Sequence, residues 1–588
     1  MKVCGVSAHF HDSAAALVVD GRPVAAAQEE RFTRRKGDAA LPARALRFCL
    51  DQAGIAASEL DAVVFYEKPL RKFLRIVAAS LANAPRGCDA FRGALHAWFE
   101  RKLWIRSDLA RVLGVPRGKI VFGDHHLSHA AAAFLTQPID SAAFLVVDAV
   151  GEWTTTSLGV LRRERGGLGY EVLDSIDFPH SLGLFYSALT AFLGFHVNEG
   201  EYKVMGLAPY GVPRFAEALR RVVPEVPDAH GGLFRLDLDY FEHDRSVTRG
   251  WSRRMEELLG PPNPPHRRIQ QEGLEPAEFQ RLADVAASLQ LVLEERLLAL
   301  VRRARERTGE RFLCYGGGVA LNSVANGKIA RSGFFERVFV HPAAGDAGGA
   351  LGAALAFAAS QGETIDAGAF SPYLGSALDG GEPEPAANAA WGPRLAPDAL
   401  ADSVAELLER DLVVGWAHGR AEWGPRALGA RSILARPDPP GQKERLNRLI
   451  KHREGYRPFA PIVTDERADE LFDGLSPGRT LERFMLGTVQ TRPAWRERLS
   501  AVTHVDGSAR VQVLRRDDAP LLHGILERFH RRTGIPVLLN TSFNHAGEPI
   551  VNDAADAVRS FESCRLDALV VGERILQRLA LAPVGARS

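Results

Sequence analysis

The chain has 588 residues, 46% of them hydrophobic and 25% charged, with 73 basic residues against 72 acidic ones. That length suits two large domains or three small ones, and the composition suits buried cores. The charge balance gives no reason to expect a nucleic acid or a membrane surface as partner. No run of about 18 apolar residues occurs, so no spanning helix is expected. The five cysteines, Cys4, Cys49, Cys88, Cys314 and Cys564, are odd in number and scattered. That argues against a disulfide framework or a cysteine zinc site, and a reducing cytoplasm is the expected location.

The N-terminus, MKVCGVSAHFHDSAAALVVDG, begins apolar, but His9, His11 and Asp12 interrupt it, so it is not read as a signal peptide. Residues 2–7 and 14–19 read as strands joined by the polar turn HFHDS, and Asp20-Gly21 signals a hairpin into a third strand, Pro23–Ala27. Residues 41–55 and much of 69–113 read as helical. Ile120–Phe122 is a short strand before the helix-like DHHLSHAAAAFL. Ala143–Val147 is a strand ending at Asp148, followed by a second through Thr155–Leu161. This strand–turn–strand opening repeats that of the N-terminus, and predicts a duplicated α/β unit of the actin/sugar-kinase type. Leu282, Val285, Leu289 and Val292 set a long amphipathic helix over 276–308. Strand Phe312–Tyr315, Gly316-Gly317-Gly318, and a helix from near Leu321 follow. Strand Val338–Val340 then leads through HPAAGDAGG into a small-residue helix. The Gly/Pro/Ala-rich stretch 366–396 reads as a linker between a domain at 1–365 and a second α/β domain at 397–588.

Four segments carry candidate chemistry. His125 and His129 are four apart, so a helix places both imidazoles on one face. Asp148 and Asp346 sit at strand ends, and a His2Asp2 metal site follows, suited to iron, manganese or zinc without choosing among them. Two ordinary surface histidines would show the same spacing. The glycines 316–318, with Gly345 in GDAGG downstream, form a credible phosphate or nucleotide cradle. Arg420, Arg426 and Arg431, then Lys451, Arg453 and Arg457, lie among Trp423, Pro425, Tyr456 and Phe459, a set that suits a polyphosphate. Asn540 to Asn544 follow a buried strand, where Ser542 and Asn544 could cap a phosphate or simply form a turn. His11 in the first turn is a candidate general base.

In this order, GVSAHFHDSAAALVVDG, EERFTRRKGD, DHHLSHAAAAF, VVDAVGEWTTTSLG, HSLGLFYSALTAFLGF, EGEYKVMGLAPYG, GGGVALN, GDAGGALGAAL, EWGPRALGARSIL, KHREGYRPFAPIV and LLNTSFN resemble the O-carbamoyltransferases of antibiotic and nodulation-factor biosynthesis. The resemblance spans nearly the whole chain. It implies an α/β fold in which an N-terminal Kae1-like, actin/sugar-kinase-like domain is joined to a C-terminal YrdC-like domain. The KxR and SxN motifs of the latter match Lys451-His452-Arg453 and Ser542-Phe543-Asn544.

The resemblance further implies metal ligation by His125, His129, Asp148 and Asp346, with Fe2+ as the ion. ATP, with Mg2+, and carbamoyl phosphate, broken down first to carbamate and phosphate, would give carbamoyl-adenylate and pyrophosphate in the second domain, held by Arg420, Arg426, Arg431, Lys451, Arg453, Arg457, Ser542 and Asn544. The first domain would receive the adenylate, with Gly316, Gly317, Gly318, Asn322, Gly345 and Lys36 as its binding residues. Arg31, Arg34 and Arg35 would face carbamoyl phosphate, and Glu199 and Lys203 the transfer site. His11 would take the acceptor's hydroxyl proton, with Asp12 orienting it. The partner is then a small natural-product acceptor, with no nucleic acid, no membrane and a homodimer plausible for the family.

A small-molecule kinase on the same fold would leave the KxR and SxN residues idle. A tRNA threonylcarbamoyl-type enzyme would want a basic face that a net charge of +1 does not encourage. Acceptor specificity is expected in the loops around 65–115 and 211–275. For a cationic acceptor, Asp237, Asp239, Glu242 and Asp244 are the candidate acids, though such a cluster is more often solvated loop.

Overall fold

The computed structural model describes residues 1–578 except 85–90, 94, 96–97, 99–101, 229–230, 247–248, 266, 270–273, 379–380, 382 and 386–387, and the side chains of 369 and 449. Cys88 lies outside the described residues. The chain divides into two units. One comprises residues 1–29, 37–370 and 476–481, the other 30–36, 371–475 and 482–588.

The first unit contains two sheets of the same design. β1 (Lys2–Ser7), β2 (Ala14–Val19) and β3 (Arg22–Gln28) form the antiparallel hairpins expected from the sequence. Asp20 and Gly21, at φ 48° and 72°, supply the left-handed turn that an Asp-Gly pair favours. β4 (Ala62–Phe65) and β5 (Ile120–Phe122) add in parallel, giving the order β3-β2-β1-β4-β5. β6 (Ser141–Val147), β7 (Thr154–Glu164), β8 (Gly167–Asp177), β9 (Phe312–Gly316) and β10 (Arg337–Val340) repeat this as β10-β9-β6-β7-β8. Counted within each half, both sheets run third–second–first–fourth–fifth, with the first three strands antiparallel and the last two parallel. The duplication thus extends to whole sheets, as in actin/sugar-kinase-type folds. β4 and β8 are the strands of this unit that the sequence reading does not name, and β8 is the harder to see. It is a half-exposed edge strand, and GLGYEVLDSID has no apolar run to betray it.

Each half sends a helix out of its fifth strand, His125–Leu135 after β5 and Asp346–Ser360 after β10. Both are buried on nearly all sides, which their Ala- and Gly-rich sequences permit. They pack backbone to backbone: a Cβ on Gly352 would lie 1.8 Å from the Ser128 carbonyl oxygen. Any larger residue at 352 would push the helices apart. The helix Pro276–Thr308 buries Leu282, Val285, Leu289 and Val292, as its spacing predicts.

The second unit is built on a mixed eight-stranded sheet. Its strands are β11 (Ala389–Trp391), β12 (Val414–Ala417), β13 (Arg431–Ala435), β14 (Ala460–Thr464), β18 (Gln512–Leu514), β19 (Val537–Ser542), β20 (Ala568–Val571) and β21 (Arg574–Arg578), in the order β11-β21-β20-β12-β13-β19-β14-β18. A small sheet of β15 (Phe472–Asp473), β16 (Val489–Thr491) and β17 (Ser508–Ala509) accompanies it. The core joins Trp416, Ile433, Leu434, Ile462 and Val537–Leu539 from the sheet to Leu400, Val404, Leu408, Leu522, Ile525, Leu526 and Phe529 from the helices Pro397–Glu409 and Pro520–Thr533. The segment 30–36 belongs to this unit. Arg31 Nη2 donates to Gly424 O at 3.0 Å, and Arg34 donates to Ile550 O and Pro549 O at 2.7 and 2.8 Å.

Candidate active site and metal centre

His125 and Asp346 are the first residues of the two equivalent helices, so the duplication itself brings them together. One turn on, His129 points the same way as His125, and Asp148 enters from the end of β6. The four side chains offer ligand atoms within 4.8 Å of one another, and all four residues are buried. His125 Nε2 lies 2.9 Å from Asp148 Oδ2, 3.2 Å from His129 Nε2 and 3.8 Å from Asp346 Oδ1. His129 Nε2 lies 3.5 Å from Asp346 Oδ1 and 3.6 Å from Asp148 Oδ2.

The opposite edges of these groups are held from outside. Asp148 Oδ1 accepts from Ala149 N at 2.8 Å and Gly318 N at 3.1 Å. Tyr66 OH donates to Asp346 Oδ2 at 3.1 Å. Glu67 Oε2 stands 3.5 Å from His125 Nδ1, and Glu67 in turn pairs with Lys72 at 2.8 Å. Outer partners of this kind fix ligand orientation in metal sites. One carboxylate oxygen of each Asp and one nitrogen of each His are left facing a common centre, a donor set that fits a divalent metal ion. Burial works against charge on His125 and His129, but Asp148 with Glu67 for the first, and Asp148 with Asp346 for the second, outweigh it and raise both pKa values. Burial likewise opposes ionisation of Asp148, yet the two imidazoles hold it well below the usual carboxylate range. Tyr66, Glu67 and Lys72 carry no motif. Their only sequence signal is their place directly after apolar β4.

The remaining sequence candidates of this unit divide into two groups. His11 Nδ1 sits 3.0 Å from Asp12 Oδ2 in the β1–β2 turn, the counterpart of the β6–β7 turn that follows Asp148. Burial disfavours its charge, but Asp12, then Asp346 and Asp148, raise its pKa to about 9. Gly317, at φ 91°, lies where a Cβ would be 2.3 Å from Val147 O, and Gly318 abuts Asp148. Gly316 packs against His129, and Gly345 immediately precedes Asp346. Asn322 is otherwise engaged. Its Oδ1 caps the helix Ser323–Arg331 through Ala325 N, and its amide exchanges hydrogen bonds with Gln290, all at 3.1 Å.

In the second unit, Lys451 ends the π-helical turn Asn447–Lys451 and reaches the end of β19. Its Nζ donates to Ser542 O and Asn544 Oδ1 at 2.8 Å each, and to Asn544 O at 3.1 Å. Ser542 Oγ donates to the same Asn544 Oδ1 at 2.7 Å. The two separated motifs therefore meet in one cluster. Burial and then Arg453, with smaller contributions from Arg457 and Lys36, bring the Lys451 pKa down to about 7 against an opposing effect of Cys564. Lys36 thus lies in the field of Lys451. Arg453 Nε donates to Asn447 Oδ1 at 2.7 Å, and its guanidinium stacks 4.3 Å from the Phe459 ring centroid. Arg457 stands 3.4 Å from Glu454. Arg426 is half-buried beside Arg510, and burial with that second guanidinium pulls its pKa well down. Such a pair of cations suits an anion.

Two family models cover most of the chain. The one described as Carbamoyltransferase N-terminus matches residues 2–355, and Carbamoyltransferase C-terminus matches residues 405–578. The chain belongs to the carbamoyltransferase family. The uncharacterized protein sll1178 of Synechocystis sp. is 42% identical over 98% of this chain and 97% of its own. Nodulation protein NolNO of Sinorhizobium fredii is 38% identical over 98% of this chain and 80% of its own. Nodulation protein NolO of Bradyrhizobium diazoefficiens is 37% identical over 77% of this chain and 79% of its own.

Two of the cations expected to bind phosphate in this carbamoyltransferase are occupied by its own main chain. Arg431 is fully buried, and its guanidinium donates to the carbonyls of His418, Gly419, Ala430, Ser376 and Asn552. Arg420 donates to Gly375 O at 3.0 Å and Leu374 O at 2.6 Å. A count of arginines along a sequence cannot separate such internal ties from cations aimed at a ligand. Among the described residues, no helix of the transferase is long and apolar enough to cross a membrane.

Proposed function

We propose that this carbamoyltransferase hydrolyses carbamoyl phosphate to carbamate and phosphate, joins the carbamate to ATP as carbamoyl-adenylate with release of pyrophosphate, and then carbamoylates a hydroxyl of a small natural-product acceptor, with AMP as the leaving group and the hydroxyl proton passing to a protein base. The observation that carries this reading is the convergence of Lys451 on Ser542 and Asn544, in a chain whose other unit gathers His125, His129, Asp148 and Asp346. A fold-related kinase would have no use for the first cluster.

In the second unit, Lys451, Arg453, Arg457 and Arg426 would neutralise the phosphates of ATP, delivered as its Mg2+ complex, and of carbamoyl phosphate, while Ser542 and Asn544 hold the Lys451 ammonium in place. In the first unit, His125, His129, Asp148 and Asp346 would hold a divalent metal ion, Fe2+ by family resemblance, whose chemistry is to polarise a carbonyl oxygen. The Gly317-Gly318 backbone and Gly345 would cradle the adenylate. His11, oriented through Nδ1 by Asp12, would take the hydroxyl proton at Nε2. Its raised pKa comes partly from Asp148 and Asp346, so neutralisation of that pair by a dication would favour the neutral imidazole a base requires.

Pyrophosphate release without any acceptor tests the reading. It should require both ATP and carbamoyl phosphate, fall with Arg453→Ala and persist with His125→Ala. Formation of ADP in place of pyrophosphate would overturn it and favour a kinase.

A further inference from the structure

The candidate metal centre has two unlike flanks. Beside Asp148 lie the glycine loop and its backbone donors. Beside His125 lies Glu67, and beyond it a group of cations. Lys72 and Glu67 satisfy each other, with Nζ 2.8 and 3.1 Å from the two carboxylate oxygens and both side chains buried. Two further cations have no such acidic partner among the described residues. Arg75 is 8% exposed, donates to the Gly151 carbonyl at 3.0 Å and stacks 5.2 Å from the Phe178 ring centroid. Lys102 opens the turn Lys102–Trp104, half-buried, with Lys72, Glu67 and Arg75 as its charged neighbours and Asp346 beyond them. Neither Arg75 nor Lys102 forms an ion pair among the described residues.

Buried charge without a counter-charge is costly, and the protonation equilibria register that cost. Burial first, then the adjoining cations, lowers the Lys102 pKa to about 8, and burial lowers that of Arg75 to about 10. Among the described residues, these three cations share the carboxylate of Glu67, with Asp346 acting on Lys102 from beyond it. Three of the acids that a cationic acceptor would need are meanwhile engaged. Asp239 pairs with Arg254, Asp237 accepts from Asp239 N at 3.1 Å, and Asp244 faces Arg245 at 3.9 Å.

We propose that Arg75 and Lys102 form the recognition pocket for a carboxylate or phosphate group carried by the hydroxyl acceptor, so that this transferase acts on an anionic small molecule. The inference rests on the acceptor reading proposed above. It places the acceptor on the His125 flank and leaves the glycine flank to the adenylate.

Lysine footprinting of the full chain tests it. The protein is treated at pH 8 with a limiting amount of a sulfonated acetylating reagent, and acetylation of each lysine is quantified by mass spectrometry. Glucuronate, glucose and AMP serve as probes. Glucuronate should protect Lys102 about tenfold once its concentration exceeds its Kd by about ten. Glucose should not protect, and Lys451 should be indifferent to both sugars. Arg75→Gln should abolish the protection, whereas Arg75→Lys, which keeps the charge, should retain much of it and show that the site still folds. Equal protection by glucose, or none by glucuronate, would overturn the pocket. Protection of Lys102 by AMP alone would assign the cations to the donor's phosphate and overturn the acceptor assignment. The pyrophosphate assay is independent of this outcome. A chain that protects Lys102 but releases no pyrophosphate would refute the adenylation reading and leave the pocket standing.

Discussion

His125 Nε2 and His129 Nε2 stand 3.2 Å apart, with a carboxylate oxygen of Asp148 and one of Asp346 each within 3.8 Å of both. Two imidazolium ions would repel at that distance, and one dication satisfies all four groups at once. The purified protein should therefore carry close to one divalent metal ion per chain, measured by elemental analysis after desalting. A His125→Ala, His129→Ala double variant should lose it. Glu67→Gln, which disturbs only the outer partner of His125, should weaken metal affinity by about 10–100-fold. Undiminished metal content in the double variant would place the ion elsewhere.

Lys451 is a buried cation of the second unit. Its pKa falls to about 7 in the native chain, chiefly by burial, whereas an unfolded lysine titrates near 10.4. Between those values the unfolded chain binds the extra proton, so this residue makes native stability rise with pH across that window. Below pH 7 both states hold the proton and the burial penalty is present in full. A phosphate beside the ammonium would restore the proton. Binding of ATP or carbamoyl phosphate at pH 8 should then be coupled to proton uptake, seen as a dependence of the calorimetric enthalpy on the buffer's ionisation heat. Lys451→Met should remove that uptake. A wild-type enthalpy independent of buffer would contradict the assignment.

Arg431 makes the opposite case. With its guanidinium spent on five main-chain carbonyls, it ties together the loops around residues 376, 418–419, 430 and 552. Arg431→Lys cannot reproduce the fork and should leave several buried acceptors unmet, at a cost of roughly 3 kcal/mol. The denaturation midpoint of the second unit should drop accordingly. Lost pyrophosphate release with an unchanged midpoint would mean that Arg431 contacts substrate after all.

The pairing of His125 with His129 was legible because four residues make one helical turn, Asp148 because it follows directly on an apolar strand, and Asp346 because it stands among glycines after one, though the structure places it at the start of the following helix rather than at the strand's end. The meeting of Lys451 with Ser542 was legible only through family resemblance, since 91 residues separate them and no local periodicity spans that gap. β8 escaped because an edge strand need not alternate. Glu67, Arg75 and Lys102 escaped because their importance lies in burial and in which charges surround them, and neither is written in residue order. Arg420 and Arg431 show the converse: a residue type suited to phosphate can serve the backbone instead.

His11 offers a separation of the two half-reactions. It lies in the first unit, 3.0 Å from Asp12, and Lys451, Ser542 and Asn544 lie in the second. If it serves only as base toward the acceptor hydroxyl, His11→Ala should leave acceptor-independent pyrophosphate release near the wild-type rate. Carbamoyl transfer to an acceptor should fall by about 10²–10⁴-fold, the usual range for loss of a general base. Asp12→Asn should give a smaller loss in transfer, because the imidazole remains but its orientation and basicity are disturbed. The rate of carbamoyl-product formation, followed by mass spectrometry beside the pyrophosphate assay, measures both steps in one reaction. Equal losses in the two steps would show that His11 acts before transfer, and would remove it from the role of base.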